Sequence, residues 1–338
     1  MASNSFGLDI GRSFIKVVKA KVSGSKKILE ACASTKTPAG GIISESPIDQ
    51  KKVAESVKIC VDQAKISEEK CVVSLIESQV VSRLIQLPNL TDKELASAIN
   101  WEAEQYIPLP VKDINLQYKV VARSQEPSEK IDVLLVAAPK RVINKYLNIV
   151  KNAGLVVEAL ETESTALTRA LTKSQDPTTI IVSMGAVSTE LVIARETNVL
   201  FTRSIATGGI NLTKAIMNEF NLPQDQAEEY KQTYGILEDK LSGKVAVVLK
   251  PILDILISEI LKAVDFSRSH VKDSGVTRIV ICGGGAFLPG LSQFLTERTN
   301  LEVSLGDAWA DFVKQGVILK MPGQGSIYSV ATGLALRS

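Results

Sequence analysis

The sequence predicts an α/β fold built as two similar halves around a cleft, with a compact module inserted in the first half. Three observations predict it. LDIGRSFIKVV (8–18) is echoed by VSMGAVSTELVI (182–193): an apolar strand, a glycine turn, a small hydroxyl residue and a second strand. A further glycine run, Gly283-Gly284-Gly285, follows another apolar strand, RIVIC. Residues 79–155 carry a strand and helix pattern of their own. Length agrees, because 338 residues at roughly 150 per domain suggest two domains, and 45% apolar content can bury a sizeable core.

The elements follow in order. FGLDIG (6–11), FIKVVKAKV (14–22) and KKILEACAST (26–35) read as an antiparallel meander joined by short turns. A helix is expected at about 50–64, where Val53, Val57, Cys60 and Val61 share a face, and then a buried strand, CVVSLI (71–76). The inserted module opens with a strand ending at Pro88. Thr91 and Glu94 form a capping box for a helix at 92–106, which Pro108 and Pro110 terminate. On that helix Leu95, Ile99, Glu102 and Tyr106 share a face, with Trp101 beside it. Two strands, 114–123 and 131–139, flank a polar loop at 124–130. A helix at 141–154 closes the module on a glycine cap. The second half is expected to open with a helix at 159–172 and three strands within 178–205. Helices at 209–221, 224–235 and 247–271 follow, then a strand, glycine loop and helix over 278–298, and a last helix at 326–337.

Composition excludes several functions. Charged residues are 39 basic and 37 acidic, a net +2, so no broad field draws nucleic acid or an anionic membrane. Cys32, Cys60, Cys71 and Cys282 form no CxxC pair and read as reduced thiols. The single His270 excludes a His-rich zinc site, argues against a Ser-His-Asp hydrolase, and reads as a surface or helix-capping residue. MASNSFGLDIGRSF lacks the basic and apolar regions of a signal peptide, so a cytoplasmic location is expected. PILDILISEILKAV (251–264) is interrupted by Asp254, Glu259 and Lys262 and reads as an amphipathic core helix, with no direct membrane insertion expected.

The glycine loops carry the candidate chemistry. Gly11 permits a tight turn whose N–H groups at 11–13 can converge on an anion, Asp9 at the strand end can hold a hydrated magnesium ion, and Lys16 follows on the next strand. Gly185, with Ser188 and Thr189, is the counterpart in the second half. Gly283, Gly284 and Gly285 let a flat ring or a phosphate approach the backbone, and the following helix N-terminus favours an anion. Glu228 and Lys231 share one helix face at i, i+3. Each motif alone is weak, since plain hairpins and solvated ion pairs look the same.

Together and in this order, the loops resemble the actin-like (ribonuclease H-like) ATPase superfamily, which includes actin, heat-shock chaperones and sugar kinases. WEAEQYIPLPVKDINLQY (101–118), LFTRSIATGGINLTKAI (200–216), AEEYKQTYG (227–235) and GGGAFLPGL (283–291) resemble more narrowly the PilM family of type IV pilus assembly, in the FtsA-like branch. That resemblance implies subdomain 1A at 1–78, 156–175 and 312–338, and an inserted 1C at 79–155. It implies 2A at 176–213 and 268–311, and 2B at 214–267. It implies ATP or ADP with magnesium in the cleft. Asp9 is assigned to the metal, Gly11, Arg12, Ser13, Phe14 and Lys16 to a first phosphate loop, and Gly185, Ser188 and Thr189 to a second. Gly208 and Gly209 are placed near the ribose and phosphates, and Glu228 and Lys231 beside the adenosine. Gly283, Gly284, Gly285 and Phe287 bound the base, and Glu163 aligns with a water-positioning residue.

Two positions depart from the family pattern. Ser183 stands where the second loop normally opens with Asp, so nucleotide binding is expected to survive and hydrolysis to be slow or absent. Arg12 adds a cation where a small residue is common. The implied output is partner binding. The N-terminal cytoplasmic peptide of a PilN-like inner-membrane protein would lie in a groove between 1A and 1C, lined by the strand 80–87 and the helix 92–106, and would recruit the protein to the membrane face. Pilus motor ATPases and self-association are further implied partners. A small-molecule kinase would need a substrate-side catalytic Asp and a larger insertion, and neither is found. An FtsA-like division actin would end in a linker and an amphipathic membrane helix, whereas LALRS directly follows a helix expected to be packed.

Overall fold

The computed structural model describes residues 5–122, 130–270 and 275–337. The polar loop expected at 124–130 falls almost wholly outside them, as does the side chain of His270. The first half begins with β1 (Ser5–Ile10), β2 (Phe14–Ser23), β3 (Lys26–Lys36), α1 (Pro47–Ala64) and β4 (Lys70–Leu75). The insert holds β5 (Val81–Pro88), α2 (Asp92–Tyr106), β6 (Ile114–Ala122) and β7 (Lys130–Pro139). Then come α3 (Lys140–Asn152), β8 (Val156–Thr162) and α4 (Glu163–Leu171). The second half runs through β9 (Thr179–Met184), β10 (Thr189–Arg195), β11 (Asn198–Ile205), α5 (Gly209–Phe220), α6 (Gln224–Tyr234) and α7 (Lys244–His270). It closes with β12 (Arg278–Cys282), α8 (Leu291–Thr299), β13 (Glu302–Leu305), α9 (Val317–Lys320) and α10 (Ser329–Ala335).

The duplication read from the echoed segments is present in the sheets. One sheet has the order β3-β2-β1-β4-β8 and the other β11-β10-β9-β12-β13. In each, the first three strands pair antiparallel and the last two pair parallel. Parallel pairs need crossover helices and are covered on both faces, which is why β1, β4, β9 and β12 are almost continuously apolar and buried. Helices α4 and α10 lie between the sheets. Ala166 and Leu334 pack with Val72 of the first sheet, while Leu167 packs with Ile181 and Val192 of the second. The two helices approach so closely that a Cβ on Gly333 would stand 1.9 Å from the carbonyl oxygen of Ala166.

The insert is a three-stranded sheet, β5-β7-β6, whose one face is covered by α2. Its other face, through Leu84, Val121 and Leu134, packs on the second half. The capping box of α2 is formed: Glu94 N–H donates to Thr91 Oγ1 at 3.4 Å and Thr91 N–H to Glu94 Oε2 at 2.8 Å. Thr91→Ala should therefore lower stability by about 1 kcal/mol, seen as a lower urea midpoint with an unchanged slope.

Several expectations are corrected. Residues 159–162, expected to be helical, belong to strand β8, which pairs parallel with β4; Thr162 then caps α4, its Oγ1 accepting from Thr165 N–H at 3.3 Å. Helix α3, grouped with the insert in the sequence, buries Val142, Tyr146 and Ile149 in the core of the first sheet. The buried stripe of α2 is Leu95, Ile99 and Ala103, while Tyr106 and Trp101 face solvent. Gly284–Phe287 form a short 3₁₀ turn and α8 begins only at Leu291, so no helix N-terminus sits on the glycine run. The short edge strand β13 and the four-residue α9 have no periodicity to announce them.

Candidate functional site

The three glycine loops follow the C-terminal ends of β1, β9 and β12, and the fold brings these ends together. The first two loops are built alike. Gly11 N–H donates to Phe14 O at 3.0 Å, and Gly185 N–H to Ser188 O at 2.9 Å. The first loop is steadied by Thr37, whose Oγ1 donates to Gly11 O at 2.8 Å and whose N–H donates to Ser13 O at 2.9 Å. Phe14 is largely exposed beside it. The second loop is clasped by the start of α5: Gly209 N–H donates to Gly185 O at 3.0 Å and Ile210 N–H to Ala186 O at 2.8 Å. A Cβ on Gly208 would lie 2.7 Å from the Ala186 and Val187 backbone, so only glycine permits that clasp. Thr189 Oγ1 donates to Thr207 O at 2.7 Å and holds the strand beneath.

The third loop packs on the second. Gly283, at φ +82°, lies where a Cβ would meet Met184 O at 2.6 Å, and its N–H donates to Ser326 O at 3.1 Å. A Cβ on Gly285 would meet Met184 Cβ at 2.7 Å, whereas one on Gly284 would meet nothing within 4 Å. Gly284 and the exposed ring of Phe287 thus border open space. Nearby, Lys231 Nζ donates to Glu228 Oε2 at 2.7 Å, Thr213 Oγ1 at 2.9 Å and Gly209 O at 3.3 Å. Burial raises the Glu228 pKa, but hydrogen bonds from Lys231, Thr213 and Gln232 outweigh it and hold the carboxyl below its ordinary range. The expected i, i+3 pair is therefore a partly buried brace from α6 to the start of α5.

Acidic side chains gather between the first two loops. Asp9 is 4% exposed; Ser74 Oγ donates to its Oδ1 at 2.9 Å and Lys16 Nζ to its Oδ2 at 3.2 Å. Glu77 and Glu163 clasp each other through the backbone: Glu77 N–H donates to Glu163 Oε2 at 3.1 Å, and Ser164 N–H to Glu77 Oε2 at 3.2 Å. Glu190 Oε1 accepts from Ser188 Oγ at 2.9 Å and Ser204 Oγ at 2.8 Å, while its Oε2 is buried with no partner. Burial pushes Glu163 well above the ordinary carboxylate range, and the charges of Asp9, Glu190 and Glu77 add to it. Burial likewise raises Glu77. Glu190 is pushed up to about 7, chiefly by burial. The structure thus brings Asp9, Arg12, Lys16, Glu163, Gly185 and Ser188 to one place, as the loops suggest. It adds Ser74, Glu77 and Glu190, which the sequence reading did not single out. Glu190 had a usable signal, since it directly follows Ser188-Thr189 and pairs in register with Ser183.

The raised carboxyls set a pH dependence. Such a group keeps its proton in the folded chain where the unfolded chain has lost it, so folding stability falls as pH rises through that window. For Glu190 the window runs from its ordinary 4.5 to about 7. Glu190→Gln should flatten the fall and be more stable than the parent at pH 8 by roughly 1–3 kcal/mol, measured by urea unfolding at pH 5 and 8. Equal pH slopes for the two proteins would remove Glu190 from the account.

Open space lies beside these groups, on the insert side. A cavity of 470 Å³ is lined by Arg12, Glu77 and Ser78, by residues 80–83, by Ser188 and by residues of β11. A smaller one of 240 Å³ continues past Leu84, Leu134 and Phe201. Between β5 and α2 the contact is filled, with Ile85 and Leu87 packed in the same cluster as Leu95, Ile99 and Ala103. Among the described residues no helix is long and apolar enough to cross a membrane, and no three His, Cys, Asp or Glu side chains group to hold a metal ion by themselves.

Two sheets of one topology, joined by α4 and α10 around a cleft of glycine loops, define an actin-like protein. The sequence profile described as Type IV pilus assembly protein PilM matches residues 7–338, and the chain belongs to that family. Its fold superposes on a solved structure of the PilM-PilN type IV pilus biogenesis complex with a TM-score of 0.85 and 29% identity, covering 99% of this chain and 98% of that one. It is 24% identical to the cell division protein FtsA of Enterococcus hirae over 88% of this chain and 77% of that protein. A structure of MreB5 of Spiroplasma citri bound to AMPPNP shares the fold, with a TM-score of 0.53 and 14% identity over 97% and 93% of the two chains.

Proposed function

We propose that the protein is a nucleotide-binding scaffold of the type IV pilus, or of a related secretion platform at the inner membrane. It binds ATP or ADP with magnesium between its halves and the N-terminal cytoplasmic tail of a PilN-like membrane protein on its insert. The observation that carries the nucleotide reading is the pair of identically bonded loops, Gly11–Phe14 and Gly185–Ser188, with buried carboxylates between them. Those bonds take up the Gly11 and Gly185 N–H groups, so the turn N–H groups that would suit phosphate oxygens are those at 12–13 and 186–187, and the unpartnered Glu190 Oε2 calls for a donor that a ligand or its water would bring.

The residues fit the cofactor in this way. Asp9 is the carboxylate at the end of the first loop's strand and would hold magnesium through water, the remaining ligands coming from phosphate and solvent. Gly11–Phe14 and Lys16 would meet one end of the phosphate chain, and Gly185, Ser188 and Thr189 the other. Gly208 and Gly209 would approach the ribose, Glu228 and Lys231 the adenosine, and Gly283–Gly285 with Phe287 the base. The bound metal would neutralise phosphate charge. Glu163 is held in place by Glu77 N–H and would orient a water, but Ser183 supplies no carboxylate to the second loop, so turnover would be slow or absent. Ser183→Asp should raise ATP turnover about tenfold or more, measured as phosphate release; an unchanged rate would show that Ser183 is not what slows it.

The tail is placed in a groove between the insert and the first half, bordered by the strand 80–87 and the helix 92–106. β5 is a terminal strand of its sheet, the position at which an extended peptide could add a strand. Calorimetric titration tests both halves of the reading, with magnesium–ATP added to the nucleotide-free protein and then a synthetic PilN-like tail peptide. Saturable binding of both is expected, with peptide affinity differing between the ATP and ADP forms. No peptide binding, with sedimentation on lipid vesicles, would instead favour an FtsA-like protein, and no ATP binding would leave a degenerate actin-like scaffold that works through the peptide groove alone.

A further inference from the structure

We propose that the 470 Å³ cavity between the insert and the second half is a second ligand site, for a small molecule bearing a phosphate or carboxylate group. Its volume falls within the roughly 300–1,000 Å³ usual for small-ligand pockets. Three guanidinium-bearing residues border it from three separate elements: Arg12 from the first loop, Arg83 from β5 and Arg203 from β11.

Two of these side chains have capacity to spare. Arg12 Nη2 donates to Ser78 Oγ at 3.1 Å, but its Nε is buried with no acceptor. Arg83 Nη1 reaches the carbonyl of its neighbour Ser82 at 3.3 Å, a long bond that an incoming anion would outcompete. Arg203 is paired with Glu259 and forms the outer rim. The acid in the wall, Glu77, is already supplied with donors, Ser82 Oγ at 3.3 Å and Ser164 N–H at 3.2 Å, so it makes no claim on the guanidinium groups. Burial also holds it toward its neutral form. Ser78 Oγ, also in the wall, accepts from Arg12, so its own proton is left for an oxygen of a phosphate or carboxylate.

The site is distinct from the cleft that holds the nucleotide in the proposal above, because Arg83 and Arg203 belong to the insert and to β11. It shares Arg12 and Ser188 with the two loops. A ligand there would touch the first half, the insert and the second half at once, so its affinity and that of the nucleotide should be linked, each changing the other by the same factor.

The test titrates the full chain with inorganic phosphate, and separately with succinate, in a calorimeter. Both titrations are run with magnesium and a saturating non-hydrolysable ATP analogue, so that the nucleotide's own phosphate positions are filled. Saturable binding of one probe is expected, and which probe binds tells phosphate from carboxylate. Arg83→Gln should weaken it at least tenfold while leaving the analogue's affinity within twofold and the melting temperature unchanged. No saturable binding of either probe, or binding that Arg83→Gln leaves intact, would overturn the proposal. If the analogue itself does not bind, the nucleotide reading falls, but an anion site lost on Arg83→Gln would still stand.

Discussion

Asp9→Asn should raise the dissociation constant for magnesium–ATP about 100-fold, close to 2.7 kcal/mol, while the fold survives. Asp9 sits at the very end of β1, almost wholly buried, with one oxygen accepting from Ser74 and the other from Lys16. Asparagine keeps the shape and can still accept from Ser74, but it removes the charge that in the proposed reading would face a hydrated cation. The loss should therefore appear only with magnesium present, and affinity for metal-free ATP should move little. Calorimetry of both proteins with magnesium and with EDTA checks this. Equal affinities in magnesium would take Asp9 out of the metal site.

Gly333→Val should destabilise the protein by at least about 3 kcal/mol, a fall in Tm of roughly 4 °C or more for a chain of 338 residues. The reason is the crossing of α4 and α10. A Cβ on Gly333 would stand 1.9 Å from a backbone oxygen of Ala166, and backbone cannot swing aside as a flexible side chain can. Arg169 draws the same crossing tight, Nη1 donating to Gly333 O at 2.8 Å while its guanidinium also binds Glu161. Because these helices join the two sheets, the damage should reach both halves. Gly284→Ala is the contrasting control. Its Cβ would meet nothing within 4 Å, so stability should stay within about 0.5 kcal/mol, and any effect should fall on nucleotide affinity. A Gly333→Val protein that melts with the parent would refute the packing account.

The site was legible in the sequence where its parts are local. A turn between two strands needs its glycine within a few residues of the strand end, so Gly11, Gly185 and Gly283 stand out in a window of ten. The capping box at Thr91 and Glu94 is equally local, and it forms as read. The carboxylate cluster was not legible, because its members meet only once segments distant in the chain pack together. Ser74 reaches Asp9 across 65 positions and Ser164 reaches Glu77 across 87. Nothing in the sequence around Glu77 separates it from an ordinary acidic turn residue, yet burial between β4 and α4 changes its chemistry. The same limit explains β8. VVEALET serves strand or helix about equally by pattern, and the free edge of β4 makes it a strand.

The sequence by itself determined the repeated strand and loop plan, the positions of the tight turns and most helix starts. These follow from side-chain periodicity, φ freedom and capping, which act over a few residues. Tertiary structure alone decided which faces close on each other. It set α3 into the first half's core rather than the insert's, filled the contact between β5 and α2, and placed the open cavity against β11 instead. It also left Glu190 with one oxygen unsatisfied. Those outcomes depend on contacts between segments far apart in the chain, where burial changes what a charged or polar group does and the local pattern says nothing about the neighbour.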